Sequence, residues 1–357
     1  MMAVDLAIAL HRRGIRSSVL ALTEGGRLEA RLREAGVPLE VGGGARYLSP
    51  ASHLSVARVL TRLRPTVLHT HHLPSLLNAG PFAKLAGLPR VVHTEHARLY
   101  LDEQPRMRTL LRVASRMADS VALVGAALVP YYVDTVGIAA GRLRVVPNGV
   151  DTDRFAPIPP GALTSRRAAA GLPNSGLVVG AVGRLAHVKN YSLLLRAVAS
   201  LRAQGVELSA VLVGDGEDRE DLERLAAELG VHDAIHFLGW RTDVAELVGL
   251  FDVLAVTSFS EGLPLVVLEA MSAGVAVVST NVGEIPRVLD EGRAGVLVPS
   301  DDALALAAAL RRFALDGDGR RAFGRRARDR ALAGYSMRAM VDAYSELYGL
   351  APAARAA

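Results

Sequence analysis

Short apolar runs alternate along this sequence with longer segments in which apolar residues recur every three or four positions. The runs have the length of buried strands, and the periodic segments have the pattern of amphipathic helices. In the first half this pattern predicts strands at residues 17–22, 37–41, 65–69, 90–96 and 120–124. Helices are predicted around them at residues 1–10, 27–35, 53–63, 73–85, 105–118 and 126–136. Such alternation is typical of a parallel sheet with helices on both faces.

The same alternation begins again in the second half of the chain. Strands are predicted at residues 177–182, 208–213, 235–238, 252–257, 275–279 and 295–298. Between the halves, residues 156–176 are rich in Pro, Gly, Ala and Ser, and we interpret them as a linker region. A chain of 357 residues is long enough for two ordinary domains. We therefore expect an α/β protein with one domain at residues 1–155 and a second at residues 156–335.

The composition indicates where the protein is located and which cysteine-dependent sites it lacks. Half of the residues are apolar, which is enough for a sizeable core, and the absence of cysteine excludes disulfides and zinc–thiolate sites. No uninterrupted apolar run approaches the roughly 18 residues of a membrane-spanning helix, and the N-terminus shows no signal-peptide pattern. We expect a soluble, cytoplasmic protein. The lack of cysteine is compatible with a reducing cytoplasm but does not prove it.

Charge is distributed unevenly between the two halves. Residues 1–155 contain 20 Lys and Arg against 12 Asp and Glu, whereas the remainder contains 21 against 24. The basic half could meet an anionic acceptor or the acidic inner face of a membrane, to which the protein would bind peripherally. The alternative is that arginine is simply abundant and lies on solvated helix faces. A nucleic-acid partner is not expected, because the sequence has no recognisable binding motif and few aromatic residues.

One segment, residues 258–274, combines a loop, a predicted helix start and two glutamates. Pro264 stands where a first helical residue needs no N–H donor, and a helix N-terminus with free N–H groups favours an anion such as phosphate. Glu261 lies in the loop, and Glu269 lies inside the helix, where a carboxylate can accept hydrogen bonds from vicinal hydroxyls. Phosphate and polyol together suggest a sugar nucleotide. The alternative is that both glutamates are solvated surface charges.

A second segment, residues 183–190, follows the first predicted strand of the second half. Its glycine permits close backbone approach, and Arg184 and Lys189 can present two cations to one diphosphate. The chain has 39 arginines and only two lysines, so a lysine at this turn suggests that a compact ammonium is required. The alternative is drift among surface cations.

The two segments resemble the nucleotide-sugar site of glycosyltransferase family 4. The resemblance rests on Glu-x7-Glu in the setting Ser-Glu-Gly-Leu-Pro-x4-Glu-Ala-Met-x-x-Gly, and on Gly-Arg-Leu followed by Lys189. It implies the GT-B fold, in which two Rossmann-like, doubly wound domains face a cleft. The first would lie on the acceptor side, the second would bind the nucleotide sugar, and a helix at residues 336–350 would cross back to the first domain.

The resemblance also implies roles for residues of the second half. Arg184, Lys189, Gly262 and Leu263 would hold the donor diphosphate. Glu261 would orient the sugar during catalysis, Glu269 would hold the ribose, and Arg241 would lie near the base.

In the first half, His96 resembles the family histidine that contacts the transferred sugar and supports the transition state. His71 is a candidate contact to the acceptor, whereas His93 and Glu95 could be structural. His69, His71 and His72 suggest a metal site, but no carboxylate or cysteine accompanies them at useful spacing. We expect no metal and no other cofactor.

Together these features imply retaining transfer of a hexosyl group from a nucleoside diphosphate sugar. The acceptor would be a glycan or a lipid-linked molecule in cell-envelope or exopolysaccharide synthesis. One alternative is other GT-B chemistry, such as epimerisation or phosphorolysis, against which the paired motifs argue. Another is a non-catalytic, N-terminally truncated protein that only binds a sugar nucleotide.

The start of the sequence departs from the family pattern. Family members open with a strand and a glycine-rich loop, whereas this chain begins inside the helix that follows them. We expect the first domain to lack that strand, and either the natural start to lie upstream of Met1 or this form of the protein to be impaired.

Overall fold

The computed structural model describes residues 2–23, 26, 28–42, 49–96 and 98–350. It divides into two compact units, one made of Met1–Asn148 with Met337–Ala357 and the other of Gly149–Ser336. The division after Asn148 comes earlier than the predicted boundary after residue 155, because the intervening segment is bound to the second unit. Val150 N donates to Tyr335 O at 2.8 Å, and Ser272 Oγ donates to Phe155 O at 2.8 Å.

The elements of the N-terminal part follow the predicted alternation. They are α1 Met2–Arg12, β1 Val19–Ala21, α2 Glu29–Glu34, β2 Leu39–Val41, α3 Pro50–Leu63, β3 Val67–His71, α4 His72–Leu85, β4 Arg90–Glu95, α5 Leu99–Glu103, α6 Arg106–Ala114, β5 Ser120–Leu123 and β6 Leu143–Val145. The predicted helix at residues 126–136 is present but irregular, with a 3₁₀-helix at Ala126–Leu128 and a π-helix at Tyr131–Thr135. Pro130, between the two, has helical dihedral angles.

The rest of the chain continues in the same manner. Its elements are α7 Pro160–Ala169, β7 Leu177–Val182, α8 Tyr191–Ala203, β8 Leu208–Val213, α9 Arg219–Glu228, β9 Ile235–Gly239, α10 Val244–Val248, β10 Val253–Val256, α11 Leu265–Ser272, β11 Ala276–Thr280, α12 Ile285–Val288, β12 Val296–Val298, α13 Ala303–Leu315, α14 Gly317–Gly334 and α15 Met337–Tyr348. No helix of the described ranges is both long enough and apolar enough to cross a bilayer.

The first unit contains two separate parallel sheets. One has the order β3-β4-β5-β6, and the other pairs β1 with β2. Among the residues that the structure describes, no strand joins the two sheets. The small sheet packs with α1 and α2 around a core of its own, formed by Val4, Ala7, Ile8, Leu32 and Val37. Helix α15 completes this unit through contacts with α1 and β4.

The second unit is built on one parallel sheet with the order β12-β11-β10-β7-β8-β9. Strand order reverses between β7 and β10, because β8 and β9 extend the sheet to one side while β11 and β12 extend it to the other. In open α/β sheets, ligands bind outside the carboxyl ends of the strands at such a reversal. The two motif-bearing loops, one after β7 and one after β10, begin at this position.

The prediction of a linker at residues 156–176 is wrong, since the segment contains α7. Within this helix, Arg167 Nε donates to Leu250 O at 2.8 Å and Arg167 also pairs with Asp252 at 2.9 Å. Asp252 in turn pairs with Arg320 at 3.0 Å. The alanine and arginine residues of the segment therefore form a helix that is bound to the second unit, although the segment's proline and glycine content is typical of a linker.

Candidate functional site

The loops after β7 and β10 meet through a lysine and a glutamate. Lys189 Nζ donates to Glu261 Oε1 at 2.6 Å, and Ser258 Oγ donates to the same oxygen at 2.6 Å. The side chain of Glu261 is 10% exposed and that of Lys189 is 26% exposed. Thr257 Oγ1 also donates to Lys189 O at 2.7 Å, so that backbone and side chain are both fixed. This places the predicted diphosphate cation beside the predicted sugar carboxylate.

The Glu261 loop is held from its other side by the last residue of β11 and by the loop that follows this strand. Thr280 Oγ1 donates to Ser258 O at 2.7 Å, and Glu284 N donates to Gly262 O at 3.1 Å. Gly283 has φ +58°, and a Cβ there would lie 2.0 Å from Glu261 O. Only glycine permits this approach, so the loop carrying Glu261 has a defined position.

Helix α11 begins directly after that loop. Pro264 is its N-cap rather than its first helical residue, and the helix starts at Leu265. No acceptor in the described part of the chain takes the backbone N–H of Gly262, Leu265 or Val266. These groups and the positive end of the helix dipole are suited to an anion. Glu269 lies one turn further along, half-buried.

Arg184 differs from Lys189 in its surroundings. Its Nε donates to Glu217 Oε2 at 2.9 Å, and its side chain is 72% exposed. The loops after β7 and β8 touch through their backbones, because a Cβ on Gly214 would lie 1.9 Å from Gly183 O. Arg184 is therefore carried by a tightly fixed loop, but its guanidinium is bound to an exposed carboxylate.

Arg241 lies after β9, the edge strand of the sheet. Both carboxylate oxygens of Asp243 accept from it, at 2.8 and 2.5 Å. These hydrogen bonds lower the pKa of Asp243 and raise that of Arg241. Arg241, the side chain predicted to lie near the base, is thus hydrogen-bonded to Asp243 at the edge of the sheet.

In the first unit, histidines gather at the carboxyl ends of β3 and β4. His71 Nδ1 and His96 Nε2 lie 3.0 Å apart in a hydrogen bond, and His72 lies 4.7 Å from His96 between ring centroids. Burial, with the neighbouring histidines, lowers the pKa of His96 to about 3 and that of His71 well below its ordinary value. His72 has φ +64°, which is uncommon for a bulky residue and marks strain of the kind found at functional sites. Because their pKa values are lowered in this way, the imidazoles of His71 and His96 are neutral at physiological pH.

A fourth histidine, His69, belongs to a buried network with helix α15. His69 Nδ1 lies 2.6 Å from Tyr348 Oη, and His69 Nε2 lies 2.6 Å from Thr94 Oγ1. Thr94 Oγ1 is also 3.0 Å from Tyr344 Oη. The ring of His69 lies 4.1 Å from that of His71 between centroids. Sequence reasoning did not link these residues, because Tyr348 is far from His69 in the chain.

Glu95 and His93 form a second buried group behind the histidines. His93 Nε2 lies 2.9 Å from Glu95 Oε1, and both side chains are fully buried. Tyr100 Oη donates to Glu95 Oε2 at 3.0 Å, and Tyr132 Oη does so at 3.5 Å. Burial and this carboxylate raise the pKa of both phenols. No sequence pattern had indicated either tyrosine. Across the described ranges, no three His, Asp or Glu side chains are arranged to hold a metal ion.

Comparisons with known proteins match both halves of the chain. The family described as Glycosyltransferase Family 4 matches residues 1–154, and that described as Glycosyl transferases group 1 matches residues 164–330. A D-inositol 3-phosphate glycosyltransferase from Saccharomonospora viridis is 34% identical over 317 residues, which are 81% of this chain and 70% of the relative. One of the same description from Corynebacterium jeikeium is 40% identical over 222 residues, 59% of this chain and 52% of the relative. The alignments thus cover about half to 70% of these relatives.

A solved structure shows the same fold. The crystal structure of HepE from Anabaena in complex with UDP matches with a TM-score of 0.84. The match covers 98% of this chain and 95% of that one, at 22% identity. The two units with parallel sheets therefore have the GT-B fold.

Proposed function

The chain belongs to glycosyltransferase family 4, and on that premise we propose that it is a hexosyltransferase. It takes the sugar from a nucleoside diphosphate sugar and transfers it, with retention at the anomeric carbon, to a glycan or lipid-linked acceptor. The pathway class is cell-envelope or exopolysaccharide synthesis, in the cytoplasm.

The observation that carries the proposal is the meeting of Lys189 and Glu261 beside the start of α11. The ammonium suits the two charged phosphates, as do the N–H groups of Gly262, Leu265 and Val266, for which the described residues offer no acceptor. The carboxylate of Glu261 suits sugar hydroxyls. Glu269, half-buried in α11, has the chemistry to bind ribose hydroxyls.

The proposed chemistry is stabilisation of a leaving group. The bond between the anomeric carbon and the β-phosphate oxygen breaks, and a bond from the acceptor oxygen to the same carbon forms. The acceptor proton passes to the departing diphosphate. Lys189, with Arg184 once it exchanges Glu217 for phosphate, and the α11 N-terminus stabilise the charge that develops there. Because these groups supply positive charge, we propose that the reaction needs no divalent metal.

The names of the relatives suggest a second acceptor. Both relatives described above are named D-inositol 3-phosphate glycosyltransferases, and the structural neighbour contains UDP. D-inositol 3-phosphate is therefore an acceptor to test beside glycan and lipid-linked candidates, with UDP sugars among the donors.

A basic helix supports peripheral contact with an acidic membrane. Helix α6 and the turn after it expose Arg106, Arg112 and Arg116 around two exposed apolar residues, Leu110 at 38% and Val113 at 51%. Arginines near an anionic leaflet contribute about 1 kcal/mol each. Replacing all three by serine should weaken binding to phosphatidylserine vesicles on the order of 100-fold. The control is serine at Arg224, Arg293 and Arg321, which are exposed and paired with carboxylates. Equal vesicle binding by the two triple variants would contradict the membrane contact.

A panel of nucleotide sugars tests the function itself. A donor present at 100 times its dissociation constant should stabilise the protein by about 2.7 kcal/mol, which a thermal shift detects. The stabilising donor, labelled in its sugar, should then be hydrolysed slowly and transferred on addition of acceptor. Binding without hydrolysis or transfer would instead favour the non-catalytic alternative.

A further inference from the structure

The phenol of Tyr191 lies at the loop after β7, beside the lysine predicted to bind diphosphate. Tyr191 is the first residue of α8, and a Cβ on Gly183 would lie 2.8 Å from Tyr191 Oη and 3.7 Å from Lys189 Cε. The phenol oxygen and the end of the lysine side chain therefore flank the same point of the loop. Gly183 has φ +155°, and a larger residue there would displace the phenol oxygen.

The ring of Tyr191 is held by the core of the second unit, but its hydroxyl has no partner there. The residue is 5% exposed and belongs to the core cluster that contains Leu185, Leu194 and Leu212. Over the described part of the chain, no group is hydrogen-bonded to Tyr191 Oη. The oxygen nevertheless reaches the surface, because it is not among the described polar atoms that are both unpartnered and enclosed. A fixed ring thus presents an O–H group to a ligand at the donor loops.

Burial and the nearby carboxylate of Glu261 keep this phenol protonated. Burial is the largest cause that raises the pKa of Tyr191, and the negative charge of Glu261 adds to it. Tyr191 is not a hydrogen-bond partner of that carboxylate, whose Oε1 accepts from Lys189 and Ser258. Tyr191 is therefore a neutral O–H donor beside an ammonium, and no carboxylate of the described ranges takes its hydrogen.

We infer that Tyr191 belongs to the donor site and that its hydroxyl donates a hydrogen bond to a phosphate oxygen of the diphosphate beside Lys189. The inference deepens the proposed function and rests on it for the identity of the ligand. An ammonium attracts phosphate as a point charge with rotatable donors, whereas a phenol on a fixed ring donates from one position. The two groups together hold one phosphate, the lysine by charge and the tyrosine by direction.

Stability separates this role from a structural one. A hydroxyl without a partner in the free protein contributes little to folding, whereas a hydroxyl bonded within the protein stabilises it. Tyr191→Phe keeps the ring and its packing, so the ligand-free variant should unfold at the same urea concentration as the wild type or at a higher one. A lower midpoint would show that the hydroxyl is bonded within the protein and would overturn the inference.

Calorimetry tests the contact itself. UDP, GDP and ADP are titrated to find a nucleoside diphosphate that the wild type binds. Tyr191→Phe should raise its Kd about 10- to 100-fold, the effect of losing a hydrogen bond to a charged group, and should raise the Kd of the matching sugar nucleotide by the same factor. The control is Tyr335→Phe, which removes the only other phenol of residues 149–336 and should change neither Kd. An unchanged Kd in Tyr191→Phe, or a loss confined to the sugar nucleotide, would overturn the phosphate contact.

Failure of the proposed function gives a different result. If the wild type binds a nucleoside diphosphate but transfers no sugar, the function falls, and the weaker binding by Tyr191→Phe still supports the inference. If the wild type transfers sugar and Tyr191→Phe binds the nucleoside diphosphate equally well, the inference falls and the function stands. A wild type that binds none of the three nucleotides also contradicts the diphosphate contact.

Discussion

Lys189 Nζ lies 2.6 Å from Glu261 Oε1, so the side chains predicted to hold the diphosphate and the sugar hold each other. Under the proposed function, a donor exchanges part of this contact for contacts of its own. The pair keeps the lysine in place before the donor arrives and gives the nearly buried carboxylate a charged partner.

Removal of the lysine should weaken donor binding. Lys189→Ala should raise the Kd for the donor about 10- to 100-fold, the effect of losing a charged hydrogen bond worth about 1.5–3 kcal/mol. Lys189→Arg should restore part of the affinity, because a planar fork replaces a point charge. The control is Lys84→Ala, which removes the chain's other lysine, an exposed partner of Asp119. Calorimetry measures both, and equal affinities for the two alanine variants would refute the diphosphate role.

Replacing each of the two glutamates by alanine should have a different effect. Glu269→Ala should weaken the binding of nucleoside diphosphate and of donor alike, because its proposed contact is to the ribose. Glu261→Ala should leave nucleoside diphosphate affinity nearly intact and lower turnover, because its proposed contact is to the sugar. Calorimetric titration with both ligands, combined with transfer rates, measures the difference. Matching losses in the two variants would contradict this division.

A side chain at Gly283 should displace the Glu261 loop. The Cβ of Gly283→Ala would clash with Glu261 O in a left-handed backbone, so we expect a loss of more than about 3 kcal/mol of stability. Gly230→Ala is the matched control, since Gly230 has φ +67° with nothing within 4 Å of an added Cβ. It should lose about 1 kcal/mol from backbone strain alone. Denaturant unfolding compares them, and similar losses would show that the close approach is unimportant.

Acid should destabilise the first unit through its histidines. Burial lowers the pKa of His69 and of His96 from 6.5 to about 3. Below pH 6.5 the unfolded chain therefore binds protons that the folded chain does not, and stability falls as the pH falls toward 3. Each of the two should remove on the order of 2 kcal/mol between pH 7 and pH 5. Hydrogen exchange in β3 and β4 measures this stability.

His96→Asn should make that pH dependence less steep. The control is His232→Asn, which replaces an exposed histidine of the second unit and should leave the pH dependence of the first unit's stability unchanged. An unaltered slope in His96→Asn would show that His96 does not contribute.

Much of the fold could be predicted because the hydrophobic pattern is local. The strands of both units occur close to the predicted positions, and the segments carrying Lys189 and Glu261 follow predicted strands. The prediction that failed concerned a segment whose contacts are made with residues far away in the sequence. Residues 156–176 were taken for a linker because the Asp252 that binds Arg167 is 85 residues away in sequence.

The candidate site was predictable in part for the same reason. The sequence motifs predicted which side chains would form a nucleotide-sugar site, but not that Arg184 binds Glu217 or that Arg241 binds Asp243. In the first unit, His96 could be named from its place at the end of a strand. Its environment could not, because His69 is fixed by Tyr348, 279 residues further along the chain.

The placement of α15 has a consequence for the order of events during synthesis. The ribosome completes all of the second unit before it makes Tyr344 and Tyr348. Until then the buried faces of His69 and Thr94 lack their partners, although the strands that carry them were translated long before. The first unit to be translated is thus the last to be finished, and its histidines acquire their final arrangement only when the second unit is already able to fold.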